Sequence, residues 1–237
     1  MDDHSQVNEE AILSAWLQNA RPWATAVQER RIESRRVVTD AAIVDTVLSR
    51  KPRSAIDLGC GEGWLVRALA VEGGVDGLGV DVVPELIEAA RAQGRGRFQT
   101  ISYVQIAAGE LEAKADVAIC NFSLLGKEST EAVLAAVPRL LEPGGALLVQ
   151  TLHPLAACGE LPYRNGWREG SWAGCGEGFG RAAPWYFRTL SGWLDTFAAC
   201  GLRLSRIEEP LHPHSGRPAS IIFVLEPASI GIRTPTT

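Results

Sequence analysis

The sequence lacks the features that mark several large classes of protein. No run in its 237 residues approaches the ~18 uninterrupted apolar residues of a membrane span. The first ten residues, MDDHSQVNEE, are acidic and polar, whereas a secretory signal needs a basic start and an apolar core. The 23 lysines and arginines are outnumbered by 28 acidic residues, and the net charge of −5 argues against a general affinity for nucleic acid. We therefore predict a cytoplasmic protein with neither a membrane nor a nucleic acid as partner.

Cysteines in disulfide-forming or metal-binding spacing are also missing. The five cysteines are odd in number and widely scattered, and none belongs to a C-x-x-C pair. The sequence therefore indicates neither a disulfide framework nor a zinc knuckle, and it predicts no metal site.

What the sequence does contain is an alternation of short apolar strands with amphipathic helices. Five such alternations predict an α/β protein with a doubly wound parallel sheet and helices on both faces. Two late strands joined by a short loop complete a seven-stranded sheet, whose last strand should run antiparallel. We divide the chain into an N-terminal helical cap (1–52), a ligand-binding core (53–152), an aromatic-rich insertion (153–190) without clear strands or helices, and a C-terminal helix and β-hairpin (191–237).

The stretch AIDLGCGEGW, residues 55–64, carries a ligand-binding pattern at the end of the first strand. A dinucleotide-binding turn follows G-x-G-x-x-G, and counted from Gly59 its third glycine would fall at Trp64, where an indole would obstruct the pyrophosphate. The spacing is instead D-x-G-x-G-x-G, with Asp57 two residues before the first glycine. That carboxylate would repel a diphosphate and would attract an ammonium and a sulfonium, so the pattern favours a cationic ligand.

From Ser54 to about Glu226 the chain resembles the class I S-adenosylmethionine-dependent methyltransferases, the seven-stranded, Rossmann-like group that includes many small-molecule enzymes. IDLGCGEGW resembles the glycine loop of this family, and GVDVVPELIEAA resembles its second motif. ADVAICNFSLL and LLEPGGALLVQTLHP match its fourth and fifth strands. The resemblance implies S-adenosylmethionine as the cofactor, S-adenosylhomocysteine as the product, and a last strand inserted beside the fifth.

The resemblance also implies a cofactor site along the glycine loop and the ends of the next strands. Asp81 would accept hydrogen bonds from the ribose hydroxyls, or it could instead cap the following helix. Ser102 stands where many relatives carry an aspartate for the adenine, or in a loop that binds nothing. One N-terminal arginine, for which we choose Arg36, would reach the methionine carboxylate. The implied set is Asp57, Gly59, Cys60, Gly61, Gly63, Asp81, Val82, Ser102, Tyr103, Asn121, Phe122 and Arg36.

Residues after the fifth strand are candidates for catalysis and substrate binding. His153 follows that strand directly, at the edge where open parallel sheets bind ligands, and is our candidate general base. The alternative is a histidine hydrogen-bonded within its own loop. Aromatic residues of the insertion could wall a flat substrate and its arginines could bind a carboxylate or phosphate, unless the insertion only packs on itself. The candidate substrate contacts are Trp172, Trp185, Tyr186, Arg188 and His212.

Together these features predict a methyltransferase that transfers a methyl group in line to a small-molecule acceptor. Asn121-Phe122-Ser123 falls short of the N-P-P-[YF] signature of amino methylation on nucleic acids or glutamine, which weighs against those substrates. Three alternatives stay open: a nucleic-acid or protein methyltransferase, a non-catalytic S-adenosylmethionine-binding module, and a nicotinamide oxidoreductase, which Trp64 disfavours. The sequence leaves the acceptor atom and the oligomeric state undetermined.

Overall fold

A seven-stranded sheet forms the centre of the protein, whose computed structural model describes residues 3–228. The strands are β1 (Ser54–Leu58), β2 (Asp76–Asp81), β3 (Arg97–Thr100), β4 (Ala115–Asn121), β5 (Leu141–Thr151), β6 (Gly166–Arg168), β7 (Trp185–Phe187), β8 (Leu202–Glu208) and β9 (Ile221–Pro227). The order across the main sheet is β3-β2-β1-β4-β5-β9-β8, and β6 and β7 form a separate antiparallel pair. β9 runs antiparallel to both of its neighbours, β5 and β8, while β1 to β5 are parallel. The predicted fold class is confirmed, including the last strand beside the fifth.

The helices alternate with these strands along the chain. They are α1 (Asp3–Gln28), a π-helical turn (Arg35–Thr39), α2 (Asp40–Ser49), α3 (Trp64–Gly73), α4 (Pro84–Ala92), α5 (Tyr103–Ala108), α6 (Glu128–Leu140), α7 (Pro154–Cys158) and α8 (Leu190–Ala199). Pro84 begins α4, where its missing N–H breaks no helical hydrogen bond. Gly74 ends α3 in the left-handed conformation. Within residues 3–228, no helix is both long and apolar enough to cross a membrane.

Both faces of the main sheet are buried, which explains why its central strands are near-continuous apolar runs. In β4, Val117 and Ile119 pack with α2 and α3 on one face, and Ala118 and Cys120 pack with α6 and α8 on the other. All four residues are at most 1% exposed. Two hydrophobic layers therefore fix the position of the carboxyl ends of the strands.

The strand order reverses between β1 and β4. From β1 the chain moves outward to β2 and β3, and it then returns to β4 on the other side of β1. In open parallel sheets such a reversal leaves a crevice outside the carboxyl ends of the strands, and ligands bind there. Leu58 and Asn121 are those ends, so the crevice lies beside the glycine loop.

Helix α1 and the insertion cover this edge of the sheet. Ala20 of α1 packs against Val83 at the start of α4. The buried Asn19 side chain donates to the Arg181 carbonyl at 3.2 Å and accepts from the Gly180 N–H at 2.7 Å. These two hydrogen bonds fasten the insertion to α1.

The insertion is more regular than the sequence predicted. Residues 153–190 contain α7 and the strands β6 and β7. Each strand has only three residues, which is too short for the alternation of polar and apolar side chains by which strands are recognised. The division of the chain into four segments stays a prediction, and residues 1–2 and 229–237 of the outer two segments lie outside the described residues.

Candidate active site

The glycine loop between β1 and α3 uses backbone conformations that favour glycine. Gly59, Gly61 and Gly63 have φ angles of +80°, +57° and +81°, in the left-handed region that other residues rarely adopt. A side chain on Gly59 would overlap the Cβ of Ser123, and one on Gly63 would lie 2.6 Å from the Phe98 ring. The loop therefore brings bare backbone to the rim of the crevice, as a cofactor cradle requires.

Asp81 ends β2 and is held by two backbone donors. Its Oδ2 accepts from the Gly61 N–H and its Oδ1 from the Val83 N–H, both at 2.9 Å. Burial raises the pKa of Asp81, while the N–H donors of Val83 and Gly61 oppose that rise. Each carboxylate oxygen can accept a second hydrogen bond, so these contacts at the entrance of α4 are compatible with ribose binding.

Asp57 is the electrostatic centre of the crevice. It is only 2% exposed, and its Oδ1 has no hydrogen-bond partner. Burial, as the largest cause, raises the pKa of Asp57 to about 8; the negative charges of Asp81 and Glu62 act in the same direction, and the positive charge of Arg35 opposes them. At neutral pH the free protein therefore keeps a proton on Asp57. A cation bound beside this carboxyl would favour its charged form.

A second buried carboxyl, Glu62, lies within the glycine loop and was not predicted from the sequence. It is 1% exposed and forms an ion pair with Arg67, and its Oε1 has no hydrogen-bond partner. The indole nitrogen of Trp23 lies next to the loop, at 3.4 Å from the position that a side-chain carbon would take at Gly61. Residues 57–62 and α1 thus meet at one acidic, enclosed point.

The structure places Arg35 at the crevice rather than the predicted Arg36, which is exposed. The guanidinium carbon of Arg35 lies 4.7 Å from the ring centroid of Trp64 and 5.9 Å from that of Trp23. Its Nε donates to Asp40 Oδ1 at 2.9 Å, and one terminal nitrogen is buried without a partner. Arg35 is therefore held by two aromatic rings and one carboxylate with a hydrogen-bond donor to spare.

Two residues of the predicted cofactor set, Ser102 and Tyr103, have side chains that bond within the protein. Ser102 caps α5: its Oγ accepts from the Gln105 N–H at 3.2 Å, and its own N–H donates to the Gln105 side chain at 3.1 Å. This capping box uses the hydroxyl that the prediction assigned to adenine. The Tyr103 hydroxyl donates to the Leu58 carbonyl at 3.0 Å, and burial raises the pKa of Tyr103 well above its usual range. Val82, also in the predicted cofactor set, is 38% exposed.

Asn121 and Phe122 lie at the carboxyl end of β4. The Asn121 Oδ1 is buried without a hydrogen-bond partner. Phe122 has a φ of +55°, a conformation that costs energy in a non-glycine residue and often occurs at functional sites. Its N–H donates to the Gln150 carbonyl at 2.8 Å, which holds this strained turn against β5.

His153 lies just beyond the carboxyl end of β5. Its side chain is 12% exposed, and its Nε2 lies 2.8 Å from Oε1 of Glu209, the residue that follows β8. The Nδ1 atom is buried without a partner. The side-chain partner of His153 therefore comes from another strand and not, as the alternative held, from its own loop.

Trp172 seals the insertion against α1. Its ring stacks on Phe179 with centroids 4.5 Å apart and meets Trp16 edge-on at 5.4 Å. The indole Nε1 is buried without a partner. The alternative of an insertion that packs on aromatic residues is thus seen here, and α1 supplies part of that packing.

Arg188 contradicts its predicted role as a substrate anchor. It is 2% exposed and donates to the carbonyls of Gly126 at 3.0 Å and Lys127 at 3.1 Å. Burial lowers the pKa of Arg188. Its guanidinium is occupied in fixing β7 to the start of α6, which leaves it unable to face a substrate.

The other predicted substrate contacts lie in two separate places. Trp185 and Tyr186 belong to β7, and the Tyr186 N–H donates to the Leu125 carbonyl at 2.7 Å. His212 lies in the loop between β8 and β9, with its ring 5.6 Å from that of His214. Their contact with a substrate stays a prediction.

Buried polar atoms without partners concentrate at this edge of the sheet. Buried polar groups are normally hydrogen-bonded, yet eight side-chain atoms between residues 3 and 228 are not. All eight belong to the carboxyl ends of β1, β4 and β5 or to segments that cover them: Arg35, Thr39, Asp57, Glu62, Asn121, Gln150, His153 and Trp172. A ligand with polar groups of both charges fits this set.

The part of the chain that carries the glycine loop is similar to known proteins. Residues 55–145 match a family model described as a methyltransferase domain. This segment of the chain is therefore similar to a methyltransferase domain. The match begins in β1, includes the glycine loop and Asp81, and ends within β5.

The chain aligns with its curated relatives over less than half of their length. A ubiquinone biosynthesis O-methyltransferase of Methylococcus capsulatus is 37% identical over 105 residues, which are 43% of this chain and 44% of the relative. A protein of the same name from Xylella fastidiosa is 34% identical over 102 residues, or 41% of each chain.

Solved structures extend the likeness beyond residues 55–145. A complex named DhpI-SAM-HEP is 16% identical, with a TM-score of 0.64 over 96% of this chain and 100% of that one. An S-adenosylmethionine-dependent methyltransferase from Mesorhizobium loti is 20% identical, with a TM-score of 0.57 over 78% of this chain and 95% of that one. At these identities the likeness shows the fold alone.

The sequence held a signal for some of the site residues that were not predicted, but not for others. Glu62 stands inside the glycine loop, where a buried carboxyl could have been considered. Arg35 could not be told from Arg36, because the π-helical turn changes the angular phase that a 3.6-residue pattern assumes. Glu209 follows β8 and meets His153 only because β8 is parallel to β5, two strands away in the sheet.

Proposed function

We propose that this chain is an S-adenosylmethionine-dependent methyltransferase that methylates an oxygen atom of a small molecule. The observation that carries the proposal is the buried carboxyl of Asp57 beside the glycine loop, with one oxygen unpartnered. A diphosphate placed there would be repelled by Glu62 and Asp81 and would keep Asp57 protonated, whereas an ammonium and a sulfonium would be attracted and would favour the charged form of Asp57. The acidic crevice therefore supports S-adenosylmethionine over a nicotinamide dinucleotide.

The distribution of charge around the crevice fits both ends of the methionine half of this cofactor. Asp57 and Glu62 offer unpartnered carboxyl oxygens to an ammonium, and Arg35 offers an unpartnered guanidinium nitrogen to a carboxylate. Asp81, whose position is set by Gly61 and Val83, would accept from the ribose hydroxyls. We assign Arg35 this role in place of Arg36.

The bound cofactor would supply an already activated methyl group, so the main task of the protein is to position the acceptor. Well-oriented reactants can lower a barrier by about 7–11 kcal/mol. Asn121 and the strained turn at Phe122 would form one side of the acceptor space, and His153 would remove a proton from the acceptor. The insertion and α1 would exclude water from above.

The choice of oxygen rests on the relatives and on His153. The curated relatives are named as O-methyltransferases, and a hydroxyl acceptor must lose its proton when it is methylated. His153 supplies a buried, unpartnered ring nitrogen for that proton. A small-molecule acceptor also agrees with the net charge of −5, which gives no general attraction to nucleic acid.

The proposal is tested by incubating the protein with methyl-tritiated S-adenosylmethionine and separate panels of phenols, carboxylic acids, amines and thiols. We expect label to appear in a phenol or another hydroxyl compound. Asp81→Asn should lower cofactor affinity by roughly 10–100-fold, because it weakens charged hydrogen bonds to the ribose. Asp76→Asn, at the other end of the same strand and exposed, should leave that affinity unchanged. Label found only in amines or thiols would contradict the oxygen acceptor.

A further inference from the structure

We propose that Glu209 is a positioning residue that directs Nδ1 of His153 into the crevice as the proton acceptor for a phenolic hydroxyl. The inference rests on the proposed function and deepens it by naming the accepting atom, its partner and the class of acceptor. Glu209 itself would touch neither the cofactor nor the acceptor.

The sheet topology brings Glu209 and His153 together. β8 and β5 are both antiparallel to β9, so they run parallel to each other and end at the same edge of the sheet. Glu209 follows β8 and His153 follows β5, and the two side chains meet across the start of β9 with 2.8 Å between Oε1 and Nε2. Glu209 is 54% exposed, whereas the His153 side chain is 12% exposed, so the pair extends from solvent toward the interior.

The hydrogen bond fixes which nitrogen of His153 carries the proton. An ionised carboxylate can only accept, so Nε2 must donate and therefore bears the hydrogen in the neutral ring. Nδ1 is left with a lone pair, and it is buried without a partner. Leaving a buried acceptor unsatisfied is unfavourable, because the group has lost its hydrogen bonds to water. A donor from the acceptor molecule would recover that cost.

The proposed step balances in atoms and charge. The O–H bond of the acceptor breaks and its proton passes to Nδ1, while the oxygen forms a bond to the methyl carbon. The bond between that carbon and the sulfur of the cofactor breaks, and its electron pair stays on the sulfur. His153 becomes a cation, and the carboxylate of Glu209 stabilises it through Nε2. When the product leaves, the proton on Nδ1 passes to the water that enters the crevice, and Nε2 keeps its hydrogen for the bond to Glu209.

The arrangement suits an acceptor that is a weak acid. A phenol, with an ordinary pKa near 10, holds its proton at neutral pH and gains from a base. A tertiary amine or a thioether has no proton to give and would leave Nδ1 unsatisfied. The arrangement therefore favours a phenol over acceptors that carry no proton.

The first test needs no turnover. In protein labelled with ¹⁵N-histidine, which contains only four histidines, the ring signals of His153 are assigned by their loss in His153→Gln. We expect hydrogen on Nε2 and none on Nδ1, and loss of the slowly exchanging Nε2 proton in Glu209→Ala. Glu208→Gln, one residue away and bonded to Thr46 instead, should change neither signal. A proton found on Nδ1 would overturn the proposal, because that atom could then accept nothing.

The second test uses phenols of graded acidity. Glu209→Ala should lower kcat by roughly tenfold or more, within the ~10²–10⁴-fold that a general base contributes, and should leave cofactor affinity unchanged. The loss should shrink as the phenol becomes more acidic and vanish for a phenol already ionised, and Glu209→Asp should restore part of the rate. An equal loss for every phenol would overturn the positioning role. If no phenol is methylated at all, the proposed oxygen acceptor fails, while the state of His153 is still decided by the first test.

Discussion

At the scale of single residues, Asp57 shows how burial and charge set the ligand preference of the crevice. The interior position disfavours the charged carboxyl, and the neighbouring negative charges add to that effect, so its pKa rises to about 8. This is a costly position for an acidic group. The cost is relieved when a cation binds, which couples ligand binding to loss of a proton.

Binding of S-adenosylmethionine should therefore release a proton from Asp57. Below pH 8 the free protein holds that proton and the complex does not, so affinity should rise with pH between about 6 and 8. Calorimetric titrations at pH 6.5 in buffers of different ionisation enthalpy count the protons released. We expect a release approaching one proton for the native protein and none for Asp57→Asn. Equal heats in all buffers would contradict the account of this residue.

The same shift predicts that Asp57→Asn stabilises the protein in the absence of ligand. The folded-state pKa of Asp57 lies above the unfolded value, so between about pH 4 and pH 8 the folded state keeps a proton that the unfolded state has lost, and stability falls as pH rises. The substitution removes this penalty. Urea unfolding at pH 8 should show a gain on the order of a few kcal/mol, with a smaller gain at pH 5. A loss of stability at pH 8 would show instead that the charged carboxylate of Asp57 stabilises the folded state.

Arg35 and Arg36 offer a matched pair for the anionic end of the cofactor. Arg35→Gln should weaken binding of S-adenosylhomocysteine by roughly 10–100-fold, because one charged hydrogen bond contributes about 1.5–3 kcal/mol. Arg36→Gln should leave it unchanged, since Arg36 is exposed. Methylthioadenosine, which lacks the carboxylate, should bind both variants like the native protein. If Arg35→Gln weakens both ligands equally, its effect is on the fold of the loop and not on the carboxylate.

At the scale of elements, the regular helices and strands could be predicted from the sequence, and the irregular segments could not. The strands and helices of the core have long periodic patterns and clear ends, such as Pro84 at the start of α4. The cap on α5 was also readable, since Ser102 and Gln105 have the spacing of a capping box. The π-helical turn at Arg35 and the short β6–β7 pair have no such local signature.

The attachment of the insertion to α1 depends on Asn19. Its side chain bonds to Gly180 and Arg181, and the site is buried. In Asn19→Ala these hydrogen bonds are lost, so the insertion should open more often. Hydrogen exchange should increase across residues 170–182, and unfolding should become easier by about 1–3 kcal/mol. Gln18→Ala, on an exposed position of the same helix, is the control. Unchanged exchange in the insertion would show that the aromatic contacts of Trp172 hold it alone.

At the scale of the whole molecule, the topology explains why some of the site could be predicted. The glycine loop and Asp81 are local motifs that follow strands directly, so their position at the carboxyl edge follows from strand order alone. Residues that reach the site from other parts of the chain were harder to predict. Arg188, predicted to contact the substrate, donates its hydrogen bonds to backbone carbonyls instead. Glu209 reaches His153 because two distant strands run parallel in the sheet. Tertiary partners, not residue types, decide those roles.

The central claim, that the crevice is built for S-adenosylmethionine, is tested most directly by calorimetric titration. The native protein should bind S-adenosylmethionine and S-adenosylhomocysteine and should not bind NAD, because the carboxyls of Glu62 and Asp81 attract a cationic ligand and repel a diphosphate, and only a cation favours the charged form of the buried Asp57. Binding of NAD, or of none of the three, would contradict the account.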